Sequence, residues 1–542
     1  RRRTVPVVAL VSVGIGVALR AGGAQAPAPV PERLQLRQLA YLKASNTEAF
    51  DHFGCGGVLD GHAGFGAAIS ADGSTIAIGA PHESSGARGI NGNQHDNSAH
   101  DSGAVYVFVR RGGSWAQQAY IKASNAEAGD QFGHAVVLST DGNTLAVSAY
   151  WEASGAKGVN GNQEDNSVPQ AGAVYVFTRQ GGRWTQQAYI KASNTGEAGT
   201  GDTFGDGDQF GFSLALSDDG NTLAVGAHAE DSRSPGINGN QDDNSATSAG
   251  AVYVFTRRGG TWSQQAYIKA ANPDPGDMFG YSVALDAAGS TLAVGSYDEG
   301  GSGRGINPPY DNNRRGSGAV YVFTRRGDAW SQQAYIKASN AEGGDSFGVH
   351  VALSDDGDTL LAGSLDEDCL ATGVNPEGCD NDMKADRSAG AAYVFARNGG
   401  VWSQQAFLKA SNTRPADWFG SRLALSGDGR VAAIGAALEG SSARGIDGRQ
   451  DEDSAPDSGA VYYFIRAGTV WRQAAYIKAS NSEAYDEFGS SLALSRDGRL
   501  MVVTSKSEDG GGRGVNPNQD DNSAEEAGAA YIFSASGAGS DR

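Results

Sequence analysis

Apolar residues in this chain come in short runs broken by Gly, Asp and Asn, and the same runs return along its length. Residues 130–149 read DQFGHAVVLSTDGNTLAVSA; a polar loop follows, and residues 172–192 read GAVYVFTRQGGRWTQQAYIKA. Apolar runs of strand length, bounded by turn residues, predict strands over 133–139, 143–149, 172–178 and 184–192. Asp141-Gly142 between the first two is a tight-hairpin signal, and Gln180-Gly181-Gly182 turns the chain between the last two. The third run is apolar on both faces, with Val174 and Val176 on one and Ala173, Tyr175 and Phe177 on the other. Such a strand has to be sandwiched between two layers. No stretch shows sustained helical periodicity.

The unit recurs seven times at intervals of roughly 70 residues. Its Phe-Gly anchors begin at Phe53, Phe132, Phe210, Phe279, Phe347, Phe419 and Phe488, and its Gly-Ala anchors at Gly103, Gly172, Gly250, Gly318, Gly390, Gly459 and Gly528. Four strands in each of seven units predict an all-β fold, a seven-bladed β-propeller of four-stranded antiparallel blades. Residues 34–45, LQLRQLAYLKAS, match WAQQAYIKAS at 115–124, with Leu36 in the place of Trp115. The last repeat, by contrast, stops at GAAYIF (528–533). The segment 34–45 is therefore expected to complete blade 7 and close the ring, which removes an exposed sheet edge. The expected organisation is a propeller over 34–533, a Pro-rich linker at 27–33 and a flexible tail at 534–542. The third repeat carries an extra DTFGDG at 202–207, and the first is enlarged between Phe53 and Gly73.

The 542 residues carry a formal charge of −20, and 79 of them are Gly, which suits many tight turns. An acidic chain lacks the basic surface that neutralises phosphates, so nucleic acid and anionic membranes are excluded as expected partners. Residues 1–26 read as a signal peptide: Arg1–Arg3, an apolar run Val5–Leu19, then Ala24-Gln25-Ala26. The mature chain is expected to be secreted, periplasmic or on the cell surface, without a membrane span, and monomeric. In such an oxidising compartment Cys369 and Cys379, ten positions apart in one loop, are candidates for a disulfide.

Phe53-Gly54 followed by Gly79-Ala80-Pro81 is the signature of FG-GAP repeats, and later copies vary it as Ser148-Ala149-Tyr150, Gly226-Ala227-His228 and Gly435-Ala436-Ala437. Over residues 34–533 the chain resembles FG-GAP repeat proteins of a bacterial secreted type, and the propeller of integrin alpha chains. The resemblance implies a seven-bladed propeller used mainly for extracellular interaction. Integrin-type propellers bind Ca²⁺ through Asp-x-Asp-x-Asp-Gly between the first two strands. Here that place holds only turns such as Ser139-Thr140-Asp141-Gly142, so those ligands do not carry over.

Connections alternate between two rims. The Asp-Gly and Gly-Gly turns share one rim, and the Ala-Ser-Asn segments and long loops share the other, where binding residues are expected. Two features repeat there. Asp51, Asp130, Asp208, Asp277, Asp345, Asp417 and Asp486 precede each Phe-Gly. They are expected to accept backbone N–H bonds and fix a turn; the alternative is a ring of carboxylates around the channel. The loops GINGNQHDNS, GVNGNQEDNS, GINGNQDDNS and GVNPNQDDNS offer hard oxygen ligands for Ca²⁺ at Asn91, Asn93, Asp96, Asn160, Asn162, Asp165, Asn238, Asn240, Asp243, Asn516, Asn518 and Asp521. The bland alternative is side chains bonding their own backbone.

Five His residues (52, 62, 82, 95 and 100) crowd the first repeat, at spacings that match no tight metal site. The repeated Lys residues (43, 122, 191, 269, 337, 409 and 478) are expected to be solvated charges on outer strands. The Trp residues at 115, 184, 262, 330, 402 and 471 are expected to pack over blade edges, or to offer sugar-binding faces. No Gly-x-Ser-x-Gly, His-Glu-x-x-His or phosphate-loop signature is present. The sequence thus points to a non-enzymatic propeller that binds an extracellular protein or polysaccharide through the long-loop rim. The alternatives are a lectin-like module or, further off, a propeller hydrolase or lyase, which a divergent cluster of His, Asp and Tyr at the channel mouth would support.

Overall fold

The computed structural model describes residues 34–55, 65–196, 207–379 and 387–537. The expected signal peptide and linker, His62, most of the 202–207 insert and residues 538–542 lie outside the described residues. The described chain forms seven antiparallel sheets and no helix. Blade 2 shows the pattern: an inner strand Val136–Leu138, a second strand Thr144–Ala149, a third Ala173–Gln180 and an outer strand Arg183–Ile190. The inner strand is shorter than the expected 133–139. Each blade bulges between its third and outer strands, as at Val176/Phe177, and a bulge adds local twist.

The ring closes as the sequence implies. Leu34–Leu42 pairs with Ala529–Gly537, so blade 7 takes its outer strand from the other end of the fold. The register runs from Leu34 opposite Gly537 to Leu42 opposite Ala530. Residues 534–537 are therefore ladder rather than tail, because the extra residues of the closing strand give them hydrogen-bond partners.

The sandwich expected for the third strand is present. Tyr175 and Phe177 pack with Val105 and Val107 of blade 1, and Val174 and Val176 pack with Phe210 and Tyr253 of blade 3. Burying each such side chain is worth about 1.5–3 kcal/mol. The Phe-Gly and Gly-Ala anchors meet across the seams: Gly172 has φ +78, and a Cβ there would run into the Phe210 backbone of the next blade.

A correction concerns the lysines. All seven have 0% exposure, and each pairs with a buried glutamate at 2.6–2.9 Å. In blade 1, Lys122 Nζ donates to Glu83 Oε2, while Tyr120 Oη and Asn46 Nδ2 donate to Glu83 Oε1. Asn46 belongs to the connector entering the blade, and its Oδ1 accepts from Tyr106 Oη at 2.5 Å. Glu152, Glu230, Glu299, Glu367, Glu439 and Glu508 repeat the arrangement, except that Phe407 supplies no hydroxyl to Glu367. The lysines are not solvated because each outer strand delivers its lysine to the glutamate that lies three residues beyond the second strand of its blade.

The tryptophans are buried seam residues. Trp184 Nε1 donates to Gln118 Oε1 of the preceding blade at 3.1 Å, and Arg179 of its own blade lies over the indole while bonding the same amide. The pattern repeats at Trp262, Trp330, Trp402 and Trp471.

On the turn rim the backbone forms a closed circuit. Ala71 N–H donates to Thr140 O, Thr140 to Asp218, Asp218 to Ala287, Ala287 to Asp355, Asp355 to Gly427, Gly427 to Arg496, and Arg496 to Ala71, at 2.8–3.2 Å. Arg496 also pairs with Asp218 at 3.0 Å and Asp355 at 2.6 Å, spanning from blade 7 to blades 3 and 5.

Candidate functional site

The repeated aspartates hold turns. Asp51, Asp130, Asp277, Asp345, Asp417 and Asp486 each accept, through Oδ2, the N–H of the residue three positions earlier at 2.7–2.9 Å. They do not ring the channel: a cavity inside the inner strands is lined by residues of all seven blades, and none of these aspartates is among them. Their charged neighbours are the Lys–Glu pairs, as Glu83 and Lys122 are for Asp51. Burial pushes the carboxyls up to about 8 for Asp51, Asp277, Asp345, Asp417 and Asp486, to about 7 for Asp130, and well above the usual range for Asp208.

The Asn/Asp loops fold back on the outer edges of their own blades. Ile90 bridges Ile121, Val159 bridges Ile190, Ile237 bridges Ile268 and Val515 bridges Leu42, so each loop covers an edge. Asn91, Asn160, Asn238 and Asn516 have positive φ, and their Oδ1 atoms accept the N–H of Tyr120, Tyr189, Tyr267 and Tyr41. Asn93, Asn162, Asn240 and Asn518, like Asp96, Asp165, Asp243 and Asp521, accept backbone N–H groups two residues on. Among the described residues no group of three or more His, Cys, Asp or Glu is arranged to hold a metal. In blade 1, His52 and His82 meet edge to face with ring centres 4.9 Å apart, and His82 and His100 share Asp101. Cys369 and Cys379 form a disulfide, with Cα atoms 5.3 Å apart.

Departures from the repeat gather elsewhere on the same rim. The residue after each Phe-Gly is His134, Phe212, Tyr281, Val349, Ser421 or Ser490 in blades 2 to 7, and the residue just after each second strand varies as much, from Tyr150, His228, Tyr297 and Leu365 to Ala437 and Lys506. Tyr150, Phe212, Tyr281, Val349 and Leu365 form an apolar cluster of their own, with Phe65, Trp151, Tyr297 and Trp418 against it. His134 lies 4.0 Å from Tyr150 and 5.1 Å from Phe212, ring to ring. Burial drives His134, His228 and His350 down to about 3, so all three are neutral near pH 7. Blades 6 and 7 place charge beside this cluster: Arg422 is 8% exposed, and Lys506 pairs with Glu487 at 3.1 Å. Among the described residues Tyr150 Oη, Tyr281 Oη, Ser421 Oγ, Trp151 Nε1, His350 Nδ1 and both nitrogens of His134 are buried without hydrogen-bond partners. Each such group costs about 1–3 kcal/mol unless something meets it.

A second departure is exposed. The residue before the repeated Asp has positive φ in blade after blade: Gly129, Gly276 and Gly344, then Ala416, but Tyr485 for blade 7 and Phe50 for blade 1. Phe50 (φ 66) is 50% exposed and Tyr485 (φ 71) is 63% exposed. Their backbones are held by bonds to the preceding blade, Phe50 N–H to Glu525 O and Tyr485 N–H to Pro456 O, both at 2.8 Å. Sequence reading missed both because their signal, an aromatic where sibling repeats have Gly, appears only when the copies are laid over one another.

A closed seven-bladed propeller with one elaborated rim defines the class. The FG-GAP repeat family profile matches residues 115–177, 262–323, 330–395, 402–464 and 471–533, more than half of the chain. The chain belongs to the FG-GAP repeat family. Each matched unit runs from the Trp strand of one blade to the third strand of the next, so the family repeat spans a seam. No curated protein matches the chain in sequence. Among solved structures it is similar to the Pseudomonas aeruginosa periplasmic gluconolactonase PpgL, at 14% identity and TM-score 0.44, over 83% of this chain and 98% of that one. It is similar also to the β-propeller domain of Cps50 (Swd1) from Myceliophteria thermophila, at 9% identity and TM-score 0.45, over 92% and 99%.

Proposed function

We propose that this protein is a non-enzymatic extracellular binding propeller whose long-loop rim engages a neutral polysaccharide. The observation that carries the reading is the pair Phe50 and Tyr485. A bulky residue in the left-handed region costs about 1–2 kcal/mol, and neither ring recovers that cost by burial. Strain of this kind, imposed by a rigid frame, marks sites of use. The two rings stand apart on adjacent blades rather than in one apolar patch, which suits a chain of sugar rings better than a protein interface core. A sugar's C–H face stacks on an aromatic face, while its hydroxyls bond carboxylates such as Glu48 and Glu483, each two positions before a ring. The acidic surface disfavours polyanionic polymers.

The test is affinity electrophoresis through neutral glucans, mannans and galactans, with wild type and Phe50→Gly/Tyr485→Gly. Glycine suits the backbone at both places, so the variant should melt at or above wild type. Retardation in at least one polymer that is lost in the variant supports the reading. Unchanged retardation, or none for wild type in any polymer, sinks it.

A further inference from the structure

Five blades join the connector entering the blade to its long loop with the same pair of side chains. Ser45, Ser124, Ser193, Ser411 and Ser480 donate through Oγ to Oε1 of Gln94, Gln163, Gln241, Gln450 and Gln519. The glutamine's backbone is held from the connector as well, as where Asn125 Nδ2 donates to Gln163 O at 2.8 Å. Blade 4 has lost both members of the pair. Ala271 stands in the serine's place and Tyr310 in the glutamine's, with its ring 4.8 Å from that of Tyr335.

Blade 5 has lost only one. Asn340 Nδ2 donates to Cys379 O at 3.3 Å, so Cys379 takes the glutamine's position, and its side chain is tied to Cys369. Ser339 is kept, and its hydroxyl has no partner among the described residues. A pocket of about 310 Å³ opens there, lined by Ser339, Asn340, Asn375, Pro376, Cys379 and Phe407. That is the lower end of the small-molecule pocket range of about 300–1,000 Å³. Phe407 is 7% exposed, whereas the tyrosines in its place on the other blades are 0–1% exposed, so the ring is part of an open wall here alone.

We propose that the blade 5 pocket binds a short-chain primary carboxamide, with its oxygen accepting from Ser339 Oγ and its apolar chain against Phe407 and Pro376. Five sibling blades fill this place with that group from their own chain. The serine belongs to the amide: blade 4, which has no glutamine here, has no serine either. No lining residue carries a charge, so a carboxylate or an ammonium would lose its water without gaining a counter-charge. The pocket belongs to blade 5, apart from Phe50 and Tyr485 on blades 1 and 7, and stands or falls without them.

The experiment is saturation-transfer NMR on the full chain with butyramide, butyrate and butylammonium, each titrated over the same range. Butyramide is expected to bind saturably and about tenfold more tightly than either ion. Cys379→Gln combined with Cys369→Ser supplies the side chain that five siblings carry, fills the pocket and should abolish butyramide binding. Ser339→Ala leaves the pocket open and removes the donor. It should weaken butyramide about fivefold, the worth of one neutral hydrogen bond, and alanine is the residue blade 4 already has in that place. No saturable butyramide signal, equal binding of amide and ions, or butyramide binding unchanged in either variant overturns the proposal. Should the double variant fail to fold, Ser339→Ala decides alone.

Discussion

Trp115 Nε1, buried at the seam between blades 7 and 1, has no hydrogen-bond acceptor among the described residues, and Leu39 stands where the other seams place a glutamine. At the seam from blade 1 to blade 2 that place is Gln118, which accepts from Trp184. At the seam from blade 6 to blade 7 both members have changed together: Leu36 replaces the tryptophan and Ala474 the glutamine, and both join one apolar cluster. The closing blade therefore differs from its siblings on both sides.

Leu39→Gln should supply the missing acceptor and stabilise the fold by about 1 kcal/mol. Urea melts of wild type and variant measure it. A loss of stability would show that Leu39 packing outweighs the orphaned indole.

The buried Lys–Glu pairs predict an asymmetric mutational response. Lys122→Met leaves Glu83 buried and charged, and should cost about 3–5 kcal/mol. Combining it with Glu83→Leu should recover a substantial part of that loss, since the desolvation cost disappears with the charge. A double-mutant cycle by calorimetry reads both steps, and a Lys122→Met variant as stable as wild type would contradict the buried pairing.

Asp345 gives a pH dependence with a definite sign. Its folded carboxyl sits near 8 against 3.8 for the free group, because burial disfavours the anion and Glu367 repels it. A raised carboxyl stabilises the fold fully below about pH 4, and that contribution is lost as pH rises towards 8. Asp345→Asn keeps an oxygen for the Glu342 N–H and cannot ionise. It should match wild type near pH 4, gain progressively above it, and exceed wild type by at least about 1 kcal/mol at pH 9. Melting curves at pH 4, 6.5 and 9 check the trend; equal curves throughout would place the carboxyl at its ordinary value.

Deleting residues 34–43 removes the outer strand of blade 7, exposes Ala529–Gly537 as a bare edge and strips Glu508 of Lys43 and Tyr41. The loss should approach the whole stability of an ordinary domain, about 5–15 kcal/mol. An unchanged melting temperature would disprove the closure.

The fold was legible because its signal is redundant: seven copies of Phe-Gly, six of Asp-Gly and seven of Gly-Ala-(Val/Ala)-Tyr fix the strands, and a displaced first copy at 34–45 fixes the closure. The charged interior was not legible. A lysine on an outer strand looks solvated unless its partner is recognised, and Glu83, though matched by a glutamate in every repeat, lies in the loop after a different strand, some forty residues away. The axial cluster was hidden for the opposite reason. His134, Phe212, Tyr281 and Arg422 follow no pattern, and only the ring brings them together.

The backbone circuit on the turn rim has a mechanical meaning. Its bonds run in one sense around the axis, each blade donating to the next, so it behaves as a hoop whose circumference is set by the number of links. A hoop shares load: pushing any blade outward strains every link, and one break turns a loop into an open strip with two loose ends. Adding or removing a blade would leave one N–H and one carbonyl facing each other at the wrong distance, so the rim itself counts to seven.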